Sequence, residues 1–164
     1  MEILDVHLGM ITLPEETLPC DFICDIDGTI ADLTHRRHWV AGRPKNWKAF
    51  EMTMDQDLPI TRVINKVKEL QKLGCAAIMC SGRGEQSRKV TEDWLEYAAG
   101  VTPSRLYMRA EKDYRADDII KSELYDQILA DGFNPKFVLD DRDKVVEMWR
   151  KRGLVCVQVA EGDF

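Results

Sequence analysis

Short apolar runs alternate with amphipathic helical patterns along most of this chain, and few folds accommodate such an order. The apolar runs that predict buried strands are DFICDI from Asp21, CAAIMC from Cys75, RLYMR from Arg105, KFVLD from Lys136 and LVCVQV from Leu154. Between them, apolar residues recur with helical spacing in segments 59–73, 85–97, 117–130 and 144–151. Strands that alternate with helices predict an α/β fold with a mainly parallel sheet and right-handed crossovers.

Two of the helical segments have clear apolar faces. In segment 59–73 we expect Pro59 in the first turn and Gly74 just past the end. The residues expected on the inner faces are Ile60, Val63, Ile64, Val67 and Leu70 in this segment, and Ile119, Ile120, Leu124 and Ile128 in segment 117–130.

Length and composition indicate one folded domain. The 164 residues suffice for a single core, and 45% apolar residues exclude a disordered chain. No apolar run is long enough to span a membrane, and the acidic N-terminus MEILDVHLGM is not a signal peptide, so we expect a cytoplasmic protein. We predict one domain over residues 1–164, with an N-terminal extension at 1–18 in which EILDVHL and MITL are candidates for a small strand pair. The sequence does not indicate an oligomeric state.

The five cysteines are predicted to be reduced. Their number is odd, and most of them sit in or beside apolar runs. Cys20 and Cys24 lie four residues apart, but no second Cys or His pair completes a zinc site.

Carboxylates and phosphate-binding groups follow the predicted strands. Asp25 and Asp27 follow the first strand, Ser81, Gly82 and Arg83 the second, and Asp140 and Asp141 the fourth. Since the carboxyl ends of parallel strands meet at one edge of the sheet, we expect these groups to converge there. Four carboxylates so close together require a cation, and hard oxygen ligands favour Mg²⁺.

This arrangement predicts phosphoryl transfer through an aspartyl-phosphate. Asp25 is the expected nucleophile, and Asp27 is the expected proton donor and later the base that activates water. Gly28 permits the sharp turn, and the Thr29 hydroxyl is placed to order the transferred phosphate.

Other groups are expected to bind the phosphate. Ser81 offers a hydroxyl, the SGRG turn offers backbone amides, and Arg83 offers a planar fork. Lys121, one turn after Asp117, is expected to reach both the acids and the phosphate.

These motifs, taken in order, resemble those of a known enzyme family. DIDGT, SGR, a lysine-bearing helix and LDDR are similar to the four motifs of haloacid dehalogenase superfamily phosphotransferases. RADDIIKSEL and the tail DDRDKVVEMWRKRGLVCVQVAEGDF further resemble the 3′-phosphatase domain of bacteriophage polynucleotide kinase, and the similarity covers roughly residues 20–164. The resemblance implies a three-layer, Rossmann-like sheet with helices on both faces and a small insert after the first strand, at about 32–57.

The resemblance also implies residue roles and a substrate. It assigns catalysis to Asp25, Asp27 and Lys121, phosphate binding to Arg36, Ser81 and Arg83, the acid of the third motif to Asp117, and the metal to Asp25, the Asp27 carbonyl, Asp141 and Asp140 beside it. Thr29, Gly82 and Asp117 are the further candidates for phosphate binding. The implied substrate is a 3′-phosphate on DNA or RNA, and the implied location is a host cytoplasm if the protein is viral. Because no G-x-x-x-x-G-K-[ST] motif is present, we expect no kinase domain in this chain.

Two interpretations of the insert remain open. Trp39, Trp47 and Phe50 lie among basic residues, a composition that suits stacking of a terminal base but also suits a small cap with its own core. His35 and His38 are expected to be exposed loop residues.

Two alternative functions are kept. One is a phosphatase acting on small esters such as nucleoside monophosphates, and the other is a module that binds phosphate ends without turnover. A net charge of −6 argues against a broad nucleic-acid surface but not against recognition of one strand end.

Overall fold

A five-stranded parallel sheet forms the centre of the protein. The computed structural model describes residues 3–6, 11–14 and 19–163. In chain order the strands are β1 (Ile3–Val6), β2 (Ile11–Pro14), β3 (Asp21–Cys24), β4 (Ala31–Asp32), β5 (Leu58–Pro59), β6 (Ala77–Gly84), β7 (Arg105–Arg109), β8 (Pro135–Asp140) and β9 (Val155–Gln158). The central sheet has the order β7-β6-β3-β8-β9, and all its neighbouring strands are parallel. The predicted α/β fold is therefore confirmed.

The helices follow the predicted pattern closely. They are α1 (His38–Ala41), α2 (Trp47–Met52), α3 (Thr61–Lys72), α4 (Arg88–Asp93), α5 (Asp117–Ala130) and α6 (Asp143–Lys151). A π-helical turn at Trp94–Ala99 continues α4 and ends at Gly100, which adopts a left-handed conformation with φ of 63°. Among the described residues, none of the helices has the length and apolar character needed to cross a membrane.

Each face of the sheet carries its own core. Neighbouring residues of a strand point to opposite faces, so Phe22 and Ile23 of β3 belong to different cores. The Phe22 core includes Val63 and Val67 of α3, whereas the Ile23 core includes residues of α5 and α6. The sheet lies between two helical layers, as the resemblance implies.

Three sequence-based details are wrong. SGRG does not form a turn, because residues 81–84 are the last four residues of β6 and pair with β7. Pro59 is not in a helix, because it pairs with Ala31 in the short antiparallel ladder β4–β5, and α3 begins at Thr61. Ile119 is 46% exposed, because the buried row of α5 runs through Ile120, Leu124 and Ile128. Ile119 is turned about 100° away from that row.

Two minor predictions are confirmed. β1 and β2 form an antiparallel pair at the N-terminus. All five cysteines are free thiols, four of them buried and Cys20 partly buried.

The insert predicted at about 32–57 is a short flap, which we define as residues 33–57. The β4–β5 ladder closes its base, and it carries α1, α2 and two short 3₁₀ turns. It follows β3 after the turn at residues 25–30 and β4, and so begins near the carboxyl edge of the sheet.

Candidate active site

Buried charge is concentrated where β3, β6 and β8 end. The buried polar and charged residues of this edge are Asp25, Thr29, Arg36, Asp57, Ser81, Arg83, Lys121, Asp140 and Asp141. Every buried side-chain nitrogen or oxygen in the described chain has a hydrogen-bond partner. The edge is therefore an ordered polar network.

Asp25 lies at the centre of this edge. One of its oxygens accepts a hydrogen bond from Lys121 Nζ at 2.7 Å, and the other accepts one from Thr29 Oγ1 at 3.1 Å. Burial raises the pKa of Asp25 well above its usual value; Lys121 opposes this, and Asp140 and Asp141 add to it.

Lys121 is the cation shared by these acids. It projects from α5, is buried, and also donates to Asp140 Oδ2 at 2.8 Å. Burial alone would lower its pKa, but Asp140 and Asp25 outweigh burial and raise it, so the side chain remains an ammonium. One ammonium thus faces three buried carboxylates.

Asp140 has its acceptor positions filled by the protein. Its Oδ2 accepts from Lys121 and from Trp149 Nε1 at 3.1 Å, while Oδ1 accepts from the backbone amides of Asp141 at 2.9 Å and Arg142 at 3.3 Å. A carboxylate held by four donors supports its neighbours better than it binds a metal directly.

Asp141 completes the acid cluster. Ligand oxygens of Asp25, Asp140 and Asp141 all lie within 4.8 Å of one another, and this is the metal-type cluster found among the described residues. Burial, followed by repulsion from Asp140, raises the pKa of Asp141 to about 6. A divalent cation would relieve this repulsion, so the donor set fits the predicted metal.

The side chain of Asp27 faces away from that cluster. It is 27% exposed, and its Oδ1 accepts from Arg83 Nη2 at 2.6 Å and Arg36 Nη2 at 3.0 Å. Burial raises the pKa of Asp27, but Arg83 and Arg36 outweigh burial and hold it below its usual value. The two acids of the DxD motif therefore have opposite environments.

Asp57 accepts hydrogen bonds from both arginines, and the sequence analysis did not identify it. Its buried carboxylate accepts from Arg36 Nε and Nη2, both at 2.7 Å, and from Arg83 Nη2 at 2.9 Å. His35, expected as an exposed loop residue, also hydrogen-bonds to Asp57 at 2.8 Å. Two buried arginines beside one carboxylate indicate a second acid, but the sequence does not show which one.

These contacts bear on the predicted phosphate contacts of Arg36 and Arg83. Arg36 is fully buried, and its Nη1 donates to the Phe50 carbonyl at 3.3 Å. Its remaining hydrogen bonds go to Asp27 and Asp57. Arg83 also bonds Thr91 at 3.3 Å and shares both acids with Arg36.

Ser81, Gly82 and Asp117 lie together beside the acid cluster. Ser81 Oγ is buried and accepts from the Arg83 amide at 3.2 Å. A Cβ on Gly82 would lie 2.9 Å from Asp117 Oδ1, so this glycine permits the close approach. Asp117 is ion-paired with Arg109 and Arg142, which sequence reasoning did not name.

Comparison with known proteins connects this geometry to a family. The model of the polynucleotide kinase PNKP phosphatase domain matches residues 19–164. A putative bifunctional polynucleotide kinase/RNA ligase of Autographa californica nuclear polyhedrosis virus is 30% identical over 136 residues, which are 82% of this chain and 18% of that protein.

Solved structures are similar to this chain in sequence, in fold or in both. Chains in two structures of the Pnkp1/Rnl/Hen1 complex are 37% and 38% identical to this one, with TM-scores of 0.72 and 0.76, over 94% and 90% of this chain. The class C acid phosphatase of Bacillus anthracis shares the fold, with a TM-score of 0.60 at 12% identity over 88% of this chain and 69% of its own. The chain spans about a fifth of the curated relative and about half of the matched chain in each of the two complexes.

Proposed function

The chain belongs to the family of polynucleotide kinase PNKP phosphatase domains, within the haloacid dehalogenase superfamily, and from this premise we propose a Mg²⁺-dependent phosphatase that removes 3′-phosphates from DNA or RNA ends. Membership in this family makes the protein a phosphoric monoester hydrolase. This argues against the alternative of a module that binds phosphate ends without turnover. The observation that carries the proposal is Asp25, buried between Lys121 and Thr29 beside a three-aspartate cluster.

We assign the metal to Asp25, Asp141 and the Asp27 carbonyl, with Asp140 in support. Asp140 is the member whose oxygens are already filled by four donors, whereas Asp25 and Asp141 are the acids whose pKa values burial raises. Bound Mg²⁺ supplies positive charge that keeps these acids ionised and polarises the phosphoryl group.

Asp25 is the proposed nucleophile. One carboxylate oxygen attacks the phosphorus, the bond from phosphorus to the 3′ oxygen breaks, and the leaving oxygen takes a proton from Asp27. Lys121 and Ser81 donate to the phosphoryl oxygens. Asp27 then takes a proton from water, which attacks the phosphorus and regenerates the Asp25 carboxylate.

The environment of Asp27 suits both of its steps. Arg36 and Arg83 hold it ionised in the free protein, which is the form that activates water. An incoming phosphate brings negative charge beside it, and like charge raises a carboxyl pKa toward the proton-donating form. We therefore propose that Arg36 and Arg83 act mainly by orienting Asp27, with Asp57 holding both.

The size of the flap supports a polymer as substrate. Residues 33–57 carry two short helices, and neither has a buried residue. So small an insert leaves the carboxyl edge open to a strand end. The 37% identity to a chain of the Pnkp1/Rnl/Hen1 RNA repair complex supports nucleic-acid ends as the substrate class. We extend the proposal only to the phosphatase reaction.

The deciding experiment compares phosphate release from three substrates with Mg²⁺ present. Purified protein is expected to release phosphate from a 3′-phosphorylated oligonucleotide and to spare the same oligonucleotide phosphorylated at its 5′ end. A nucleoside 3′-monophosphate tests the small-ester alternative. Equal rates on the 3′- and 5′-phosphorylated oligonucleotides, or faster turnover of the nucleoside 3′-monophosphate, would contradict the proposal.

The Asp25→Asn variant is the matched control. It keeps the size of the side chain but removes the nucleophilic charge, so turnover is expected to disappear while circular dichroism shows an intact fold. Wild-type rates in this variant would show that the nucleophile is another residue.

A further inference from the structure

We propose that the flap binds the bases next to the 3′ end of the substrate, with Trp47 as a stacking surface and Lys45 beside it as a phosphate contact. This inference rests on the polynucleotide substrate proposed above. It assigns a role to the flap aromatics, which the chemistry at Asp25 does not use.

The charge of the flap is opposite to that of the protein. Residues 33–57 contain five arginines and lysines and three acids, a formal charge of +2, in a chain whose net charge is −6. Arg36 is balanced internally by Asp27 and Asp57. The exposed cations of this segment are Arg37, Arg43, Lys45 and Lys48. A basic surface on an acidic protein directs a polyanion to that place.

The aromatic side chains of the flap do not form a core of their own. Trp47 is 54% exposed and Trp39 is 37% exposed, and the described residues of α1 and α2 include none that is buried. Between the two interpretations that the sequence leaves open, the structure favours a stacking surface. Exposed aromatics among cations are how proteins bind single strands without reading their sequence.

A chain of contacts connects Trp47 to the catalytic acids. The edge of the Trp47 ring meets Phe50, with ring centroids 5.8 Å apart, and the Arg36 guanidinium lies 4.2 Å from the Phe50 centroid. Arg36 in turn donates to Asp27 at 3.0 Å. Three contacts therefore separate the exposed ring from the DxD motif, so a strand whose 3′-phosphate reaches Asp25 has its last bases near the flap.

Hydrogen bonds at the start of α2 order the backbone that carries Trp47. The side-chain oxygen of Asn46 caps α2 by accepting from the Ala49 backbone N–H at 3.0 Å. The backbone N–H of Asn46 donates to the Trp39 carbonyl at 2.8 Å. Lys45 Nζ lies 5.3 Å from the centroid of the Trp47 ring. A surface ordered in advance loses little conformational entropy when a base stacks on it.

The test measures selectivity in Trp47→Ala and Trp47→Phe. For each variant, kcat/KM on a 3′-phosphorylated oligonucleotide is divided by kcat/KM on p-nitrophenyl phosphate, which has no nucleobase. This ratio is expected to fall by about tenfold in Trp47→Ala, within the range for loss of one stacked base, and less in Trp47→Phe. Since both substrates report the same folded molecules, partial unfolding does not change the ratio.

A second, independent test removes the bases of the substrate instead of the ring of Trp47. An oligonucleotide with abasic sites at its two terminal nucleotides is expected to lower the wild-type ratio by a similar factor and to have little further effect in Trp47→Ala. Equal ratios in wild type and Trp47→Ala, or additive losses, would refute stacking on this ring.

Direct binding and a surface control complete the design. In the Asp25→Asn background, fluorescence anisotropy of a labelled 3′-phosphorylated oligonucleotide is expected to show a higher Kd when Trp47→Ala is added. Tyr97→Ala is the control, because Tyr97 is 79% exposed and lies outside the flap. If wild-type protein itself does not prefer the oligonucleotide to small esters, the proposed function fails first; if it does and Trp47→Ala keeps the preference, only the flap inference fails.

Discussion

At the scale of single residues, Asp57 decides how the positive charge around the DxD motif is arranged. Arg36 is fully buried and Arg83 nearly so, and both have a nitrogen bonded to Asp57. Buried guanidinium groups need paired carboxylates, because removal of one partner leaves an uncompensated charge out of water. Asp57 thus allows two cations to converge on Asp27.

Replacement of Asp57 should therefore destabilise the fold as well as slow the reaction. We expect Asp57→Ala to cost about 3–5 kcal/mol of unfolding free energy, read from denaturant titration, because it leaves the buried Arg36 and Arg83 with only the charge of Asp27 between them. kcat should fall as well, since the arginines no longer hold Asp27 in place. Asp55→Asn is the control, because Asp55 is exposed in the same turn, and its effect should stay within about 0.5 kcal/mol. Equal stability of the two variants would contradict the proposed role.

Residue types at strand ends allowed part of this site to be predicted. Asp25, Ser81 and Asp140 follow from the rule that parallel strands deliver their functional groups to one edge, and the structure brings all three there. Asp57 could not be found in this way, because it belongs to the end of the flap and reaches the site only through the β4–β5 closure. Long-range pairing of this kind leaves no local pattern in a sequence.

At the scale of elements, the turn after β3 is shaped for Asp141. Gly28 has φ of +84°, and its amide donates to the Ala31 carbonyl at 2.9 Å. A Cβ at this position would lie 2.1 Å from Asp141 Oδ2. The turn and the loop after β8 therefore fit together only with glycine at residue 28.

Gly28→Ala should weaken the metal site through that clash. We expect the Mg²⁺ concentration for half-maximal activity to rise by about 10–100-fold, the usual effect of disturbing groups that orient a ligand. Gly132→Ala is a matched control, because Gly132 has φ of +93° but no atom within 4 Å of its Cβ position. It should lose about 1–2 kcal/mol of stability from backbone strain yet keep the wild-type Mg²⁺ requirement. A similar Mg²⁺ shift in both variants would show that strain, not contact with Asp141, is the cause.

Most elements of the fold were predictable, since the apolar periodicity of strands and helices is a local property. The errors arose where a neighbour overrides the local pattern. Pro59 would suit a helix start, but pairing with Ala31 takes it into a strand. Ile119 is apolar, but α5 uses the row through Ile120 and also buries Lys121, because the acids at the strand ends provide partners for its ammonium.

At the scale of the whole molecule, charge is divided between two neighbouring regions. The sheet edge places three buried carboxylates against one ammonium, whereas the flap beside it is basic. Neither region is balanced alone: the first requires a cation and the second attracts an anion. A 3′-phosphorylated strand with Mg²⁺ supplies both, which explains how a chain of net charge −6 could act on a polyanion.

This imbalance predicts that Mg²⁺ stabilises the folded protein. A cation that binds only the folded state adds RT ln(1 + [Mg²⁺]/Kd), or about 2.7 kcal/mol at one hundred times Kd. Thermal unfolding at pH 8, above the pKa of about 6 of Asp141, should show Tm rising with Mg²⁺ and returning to its original value after EDTA. Activity should follow the same reversible course.

Asp141→Asn separates charge relief from other effects of the ion. The variant removes one of three crowded charges, so without metal it should be at least as stable as wild type, while its Tm should respond to Mg²⁺ much less. Glu111→Gln, an exposed change of the same kind, should respond as wild type does. If the Tm of Asp141→Asn rises with Mg²⁺ as much as that of wild type, the ion binds elsewhere. If its Tm without metal is lower than that of wild type, the Thr29 hydrogen bond stabilises Asp141 more than the neighbouring acids destabilise it.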